Sequence, residues 1–259
     1  MRMMKKVLGT VTVLALSVSL LAGCGSTAAS PVSSVASTAA ESTTSSVVSE
    51  TTSATADENA TAATQLLNDL TGSYQELWPV ILADEYQQTW LDDCTALVGE
   101  ENAEAAFEKL SSMVTGDVYG ENAVKAYANG GGAYFCGFTN GLVTLTFDGE
   151  TSTISGTDKD GNVLFSHTYH YIGMEPVRGL YEFESDDADS GEFTYFFLAP
   201  DTSAETYHIE FRYGSDAEAL SQYDAGEYAY WLASGISTDC DQTMIDNCIE
   251  LFCTENLAG

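Results

Sequence analysis

Positive charge and histidine are both scarce in this chain. Its 259 residues include eight Lys and Arg against 39 Asp and Glu, and only three His, for a formal net charge of −31. Arg2, Lys5 and Lys6 sit at the very start, which leaves Lys109, Lys125, Lys159, Arg178 and Arg212 for everything after. A surface this acidic repels nucleic acid and anionic membrane, so neither is an expected partner. Most of its carboxylates read as a solvated face that aids solubility and weakly concentrates cations. Catalytic signatures are missing too. There is no strand–GxGxxG–helix, no Walker-type loop, no GxSxG and no HExxH. Gly130-Gly131-Gly132 precedes a strand rather than opening a helix, so it is a turn and not a phosphate cradle. No carboxylate pair stands out from the acidic background, and no enzymatic activity is expected.

Gly25 to Ala63 lacks Trp, Tyr, Phe, Leu, Ile and Cys, and is mostly Ser, Thr and Ala. Such a segment has too little apolar surface to offset the entropy of ordering it. It is expected to be a flexible tether over 24–63. Ahead of it, residues 1–23 read as a secretory signal, with a basic start and a short apolar run from Val7 to Leu20. The run ends in Leu21-Ala22-Gly23-Cys24, which resembles the lipobox of bacterial lipoproteins. That resemblance implies cleavage before Cys24, lipidation of its thiol, and an extracytoplasmic protein held to the cell membrane only by acyl chains.

Five cysteines follow Cys24: Cys94, Cys136, Cys240, Cys248 and Cys253. The expected location permits disulfides, and the odd number leaves at least one thiol free or paired outside the chain. The pairing is open. Two of Cys240, Cys248 and Cys253 linked to each other, or one linked to Cys94, would form a staple. Without CxxC spacing or a nearby histidine, those three do not suggest a zinc knuckle.

Aromatics and a globular composition begin near Thr64, which leaves one domain over 64–259. Thr64 to Glu85 and Glu101 to Val114 show apolar residues at helical spacing, as does Asp239 to Leu257. In between, the period changes to two. Ala133–Phe138, Leu142–Phe147, Ser152–Ser155, Val163–Tyr171, Val177–Glu184, Phe193–Leu198 and Tyr207–Tyr213 read as strands. Asn140-Gly141, Asp148-Gly149 and Asp160-Gly161 supply tight turns between the first four. Hairpins in this number close into an up-and-down barrel or fold as a sandwich. The fold class is therefore mainly β with flanking helices.

Several segments resemble the ZinT (YodA-like) family, in the same order along the chain. They are Tyr74-Gln75-Glu76-Leu77-Trp78-Pro79 with Ala83-Asp84, Pro176 to Glu184, Gly191 to Pro200, Tyr207 to Asp216, Tyr228 to Ile236 and the last helix. The resemblance spans most of 66–257. It implies a calycin-like (lipocalin-like) antiparallel barrel with added helices, of the kind also found at the C-terminus of AdcA-type zinc-uptake lipoproteins. It further implies zinc, or another divalent ion, bound by three histidines in the barrel mouth and handed to an uptake transporter. Those three positions fall at Phe196, His208 and Glu210. Only His208 keeps the family's ligand type. Glu210 remains a usable oxygen donor, and Phe196 cannot coordinate.

Two-residue spacing places Thr206, His208, Glu210 and Arg212 on one face of their strand. The resemblance points that face into the barrel. Either His208 and Glu210 hold a metal completed by His167, His170 or water, or Glu210 pairs with Arg212 in a metal-free polar patch. His167 and His170, three apart, go to opposite faces of a regular strand. Cys136 is a softer candidate. A calycin-like module with a degenerate metal site, holding a small ligand or serving surface interactions, is the alternative.

Overall fold

The computed structural model describes residues 47–200 and 208–258, with side chains from 58 onward. The signal segment, Cys24 and the tether up to residue 46 lie outside the described residues. Helix α1 spans Val47–Asp69, so helical backbone reaches into the stretch read as tether. Alanine favours the helix, and the stripe Ala63, Leu66, Leu67 and Leu70 buries itself against the barrel core.

Eight antiparallel strands follow in chain order: β1 (Gly72–Glu76), β2 (Thr144–Asp148), β3 (Thr153–Thr157), β4 (Val163–Met174), β5 (Tyr181–Ser185), β6 (Tyr195–Leu198), β7 (His208–Gly214) and β8 (Ala233–Ser237). Each pairs with the next, and β1 pairs with β8, which closes the barrel. The expected calycin-like antiparallel barrel is thus the fold. Its closing pair is formed by the two strands missing from the sequence reading. Gly72–Glu76 lies within the stretch read as helical, and Ala-Ser-Gly-Ile-Ser at 233–237 is too small and weakly patterned to stand out. The expected strand at Ala133–Phe138 is instead extended chain, held by isolated bridges from Phe135 to Thr115 and Trp231. Asn140 and Gly141 both adopt positive φ, and Leu142 N–H donates to Thr139 O at 3.0 Å, the tight turn that dipeptide favours.

Directly paired residues share a face, so the register identifies the inner wall. Phe196 faces Tyr213, Leu198 faces Phe211, and Phe211 faces Ala233. Phe196 then meets Phe165 and Tyr169 of β4 at ring-centroid distances of 5.8 and 5.4 Å. The barrel interior is a packed aromatic core. Phe196, Phe211 and Tyr213 are fully buried within it.

Between β1 and β2 the chain inserts α2 (Leu77–Ile81), α3 (Gln87–Val98), α4 (Glu100–Val114) and α5 (Glu121–Ala128). A short α6 (Ala217–Leu220) follows β7, and α7 (Gln242–Leu257) ends the described chain. Helices α2, α3, α4 and α7 bury a second apolar cluster outside the barrel, with Trp90, Leu110, Ile249 and Cys253 fully enclosed. Trp90 Nε1–H donates to Ile81 O at 2.7 Å, which gives the buried indole its polar partner. Among the described residues, no helix is long and apolar enough to cross a membrane.

Candidate metal site

On β7 the inner residues are Ile209, Phe211 and Tyr213. His208, Glu210 and Arg212 therefore point away from the barrel interior. This corrects the orientation implied by the family resemblance. Glu210 lies opposite Ser234, and His208 opposite Ile236, which belongs to the helical cluster. The charge of Glu210 reaches Cys136 and Cys248 in this outer layer. Burial, with Glu210 adding to it, pushes the Cys136 thiol up to about 12, so it stays protonated and is a poor metal donor.

Arg212 is fully buried, and its hydrogen-bond partners do not include Glu210, the partner considered for it in the metal-free alternative. Its guanidinium donates to the carbonyls of Leu220, Gln222 and Tyr228 and lies 4.3 Å from the centre of the Tyr223 ring. It pins the segment after β7 to the barrel wall. Arg178 approaches the same ring, at 4.6 Å.

The other two histidines sit on β4, on opposite faces. His167 is opposite Ile154 on the inner wall, at the barrel rim, and His170 is opposite Glu184 on the outside. Each finds a carboxylate in the segment after β5. His167 Nδ1 is 2.6 Å from Asp187 Oδ2, and His170 Nδ1 is 2.7 Å from Asp186 Oδ1. A carboxylate only accepts, so Nδ1 carries the proton and Nε2 is the nitrogen with a lone pair in the neutral ring. Asp186 and Asp187 lie in the bend that follows β5, which lets consecutive side chains reach histidines on different faces of β4. Ser185 fixes this segment, its hydroxyl oxygen accepting from Asp187 N–H and from the Ser190 hydroxyl. His170 Nε2 also lies 4.0 Å from Glu184 Oε2, too far for a hydrogen bond and about half an ångström wider than the roughly 3.4 Å between two donors of one tetrahedral zinc ion, a gap a small side-chain shift would close.

The structure does not bring the four predicted ligands together. Following the hydrogen-bonded register from His170 leads to Glu184, Tyr195 and then Gly214, the far end of β7. His208 begins that strand, six residues earlier, which is roughly 20 Å along an extended chain. Among the described residues, no group of three or more His, Cys, Asp or Glu side chains is arranged to hold a metal ion. A three-histidine zinc centre does not fit this barrel. Phe196 occupies its place in the aromatic core, and His208 and Glu210 lie outside it. Sequence reasoning missed Asp186, Asp187 and Glu184, whose signal was an acidic pair directly after a strand that neighbours the two histidines.

The closed, sequentially ordered barrel with flanking helices defines a calycin-type domain. The chain is similar to the Zn(II)-bound ZinT-like domain of Streptococcus pneumoniae AdcA, at 16% identity and a TM-score of 0.45, over 71% of this chain and 89% of that one. It is also similar to Zn(II)-bound AdcA from Streptococcus pneumoniae, at 15% identity and a TM-score of 0.42 over 72% of this chain. There it spans about a third of the longer protein, 35%. No family model matches the chain, and no curated protein matches it.

Proposed function

We propose that the protein is a lipid-anchored, extracytoplasmic module that gathers divalent cations, zinc first, for an uptake system. Its cation position is on the outer rim of the barrel and not in its interior. One observation carries this reading. His170 presents Nε2 to solvent beside Glu184 Oε2, with its other nitrogen anchored on Asp186. Two protein donors completed by water give weak, exchangeable binding, which suits capture and release better than storage. The acidic surface raises the local cation concentration around such a position. The lipobox and tether supply the location.

Zinc titration calorimetry on wild type, His170→Ala and His208→Ala tests it. Weak heats are expected for wild type and His208→Ala, and their loss for His170→Ala. Binding that survives His170→Ala but vanishes in His208→Ala would move the site to β7. A second reading follows from the solid aromatic interior: a surface interaction module that no longer binds metal. Wild type without any zinc heat would favour it.

A further inference from the structure

The helical layer brings two cysteines into contact. Cys94 on α3 and Cys253 on α7 are 159 residues apart in sequence, yet their Sγ atoms are 3.9 Å apart and both residues are fully buried. Both are thiols in this structure, as are Cys136, Cys240 and Cys248. We propose that Cys94 and Cys253 are the chain's disulfide-forming pair, and that their bond fastens the C-terminal helix α7 to α3.

Closing the contact to a bonded separation of about 2.05 Å takes a shift of about 2 Å. The oxidant is a disulfide of the extracytoplasmic space, small or protein-borne. One cysteine thiolate attacks a sulfur of that disulfide and expels the first thiolate. The second cysteine then attacks the mixed disulfide and expels the other. The pair loses two electrons and two protons, and the oxidant leaves as two thiols.

Burial raises the pKa of both thiols, which disfavours the reacting thiolate once the helices are docked. The exchange therefore belongs to folding, before α7 seats on α3. Afterwards the same enclosure shields the bond from reductants. A link across so long a loop restricts the unfolded chain strongly, and so favours the native state. The pair is separate from the cation position on β4 and β5, and its test is independent of zinc.

The full chain is refolded in a glutathione redox buffer, alkylated, digested without reduction and mapped by mass spectrometry. The expected product joins the Cys94 and Cys253 peptides, two hydrogens lighter than their sum, and separates on reduction. Recovery of both cysteines alkylated, or either joined to a different cysteine, would overturn the assignment. The wild-type map decides this even if Cys94→Ser fails to fold. Where that variant does fold, its Cys253 should be alkylated. Linked protein should also melt several degrees above the same protein held in reductant, and identical melting would refute the fastening role.

Discussion

Phe196 and Arg212 show how neighbouring strands reverse a functional expectation. The resemblance placed Phe196 in a ligand position, and the structure makes it the centre of an aromatic cluster with Phe165, Tyr169 and Tyr213. Phe196→Ala should cost about 3–5 kcal/mol, read by urea denaturation, because the packed ring leaves a cavity. Phe196→His should also destabilise, by burying an imidazole among apolar rings, and should not create zinc affinity in a titration. Arg212 lies on the neighbouring strand β7, paired with Phe197 and facing outward. Arg212→Ala removes donors from three carbonyls and a cation from the face of Tyr223. Its expected cost is roughly 3 kcal/mol or more by the same measurement. Alternation on β7 was legible from spacing alone, since His208 and Arg212 do share a face. Which face looks inward was not, because that depends on the partners of Phe211 and Tyr213 across β6 and β8.

Among the elements, turns were easier to read than the strands they join. Asn140-Gly141 and Asp160-Gly161 announce themselves through local backbone chemistry. β1 and β8 become strands only because the barrel offers them partners. The same tertiary override makes α1 more than a tether. Where it crosses the β2–β3 turn, a Cβ on Gly149 would come within 2.4 Å of Asn68 Cα and 2.6 Å of Leu67 O. These are backbone atoms that no rotamer change can move. Gly149→Ala should therefore loosen α1 from the barrel. The expected outcome is faster amide exchange in residues 63–70 together with a lower melting temperature. Unchanged exchange there would show that α1 is seated otherwise. The candidate outer site was half legible: its histidine, His170, was found, but the carboxylates were hidden in a long acidic background.

For the whole molecule, the excess of negative charge sets the response to pH and salt. Asp93 on α3 has its pKa raised, first by burial and then by the nearby charges of Glu250, Asp246 and Asp92. Glu182 is raised by burial and by Glu175. A carboxyl with a folded pKa above its unfolded value holds more protons in the native state. Its contribution to stability is fully present below the unfolded value, near 3.8 for Asp93, and is lost as pH rises through the raised one. The melting temperature should accordingly climb as the pH falls from neutrality into the carboxylate range. Asp93→Asn should raise it at neutral pH and flatten that slope. Added salt should act in the same direction at neutral pH by screening repulsion among the carboxylates.

The pairing of Tyr74 with Ser237 has a consequence for the order of events as the chain emerges. β1 is the first strand made, and one of its two neighbours is the last. Until β8 is available, the growing sheet is an open ladder with an unpaired edge at each end, competent to pair with another chain. Loop closure over nearly the whole domain must then precede the final rows of hydrogen bonds, a topology that folds slowly. A chain truncated before Ala233 should thus fail as a unit and tend to self-associate. The finished barrel leaves no edge to extend.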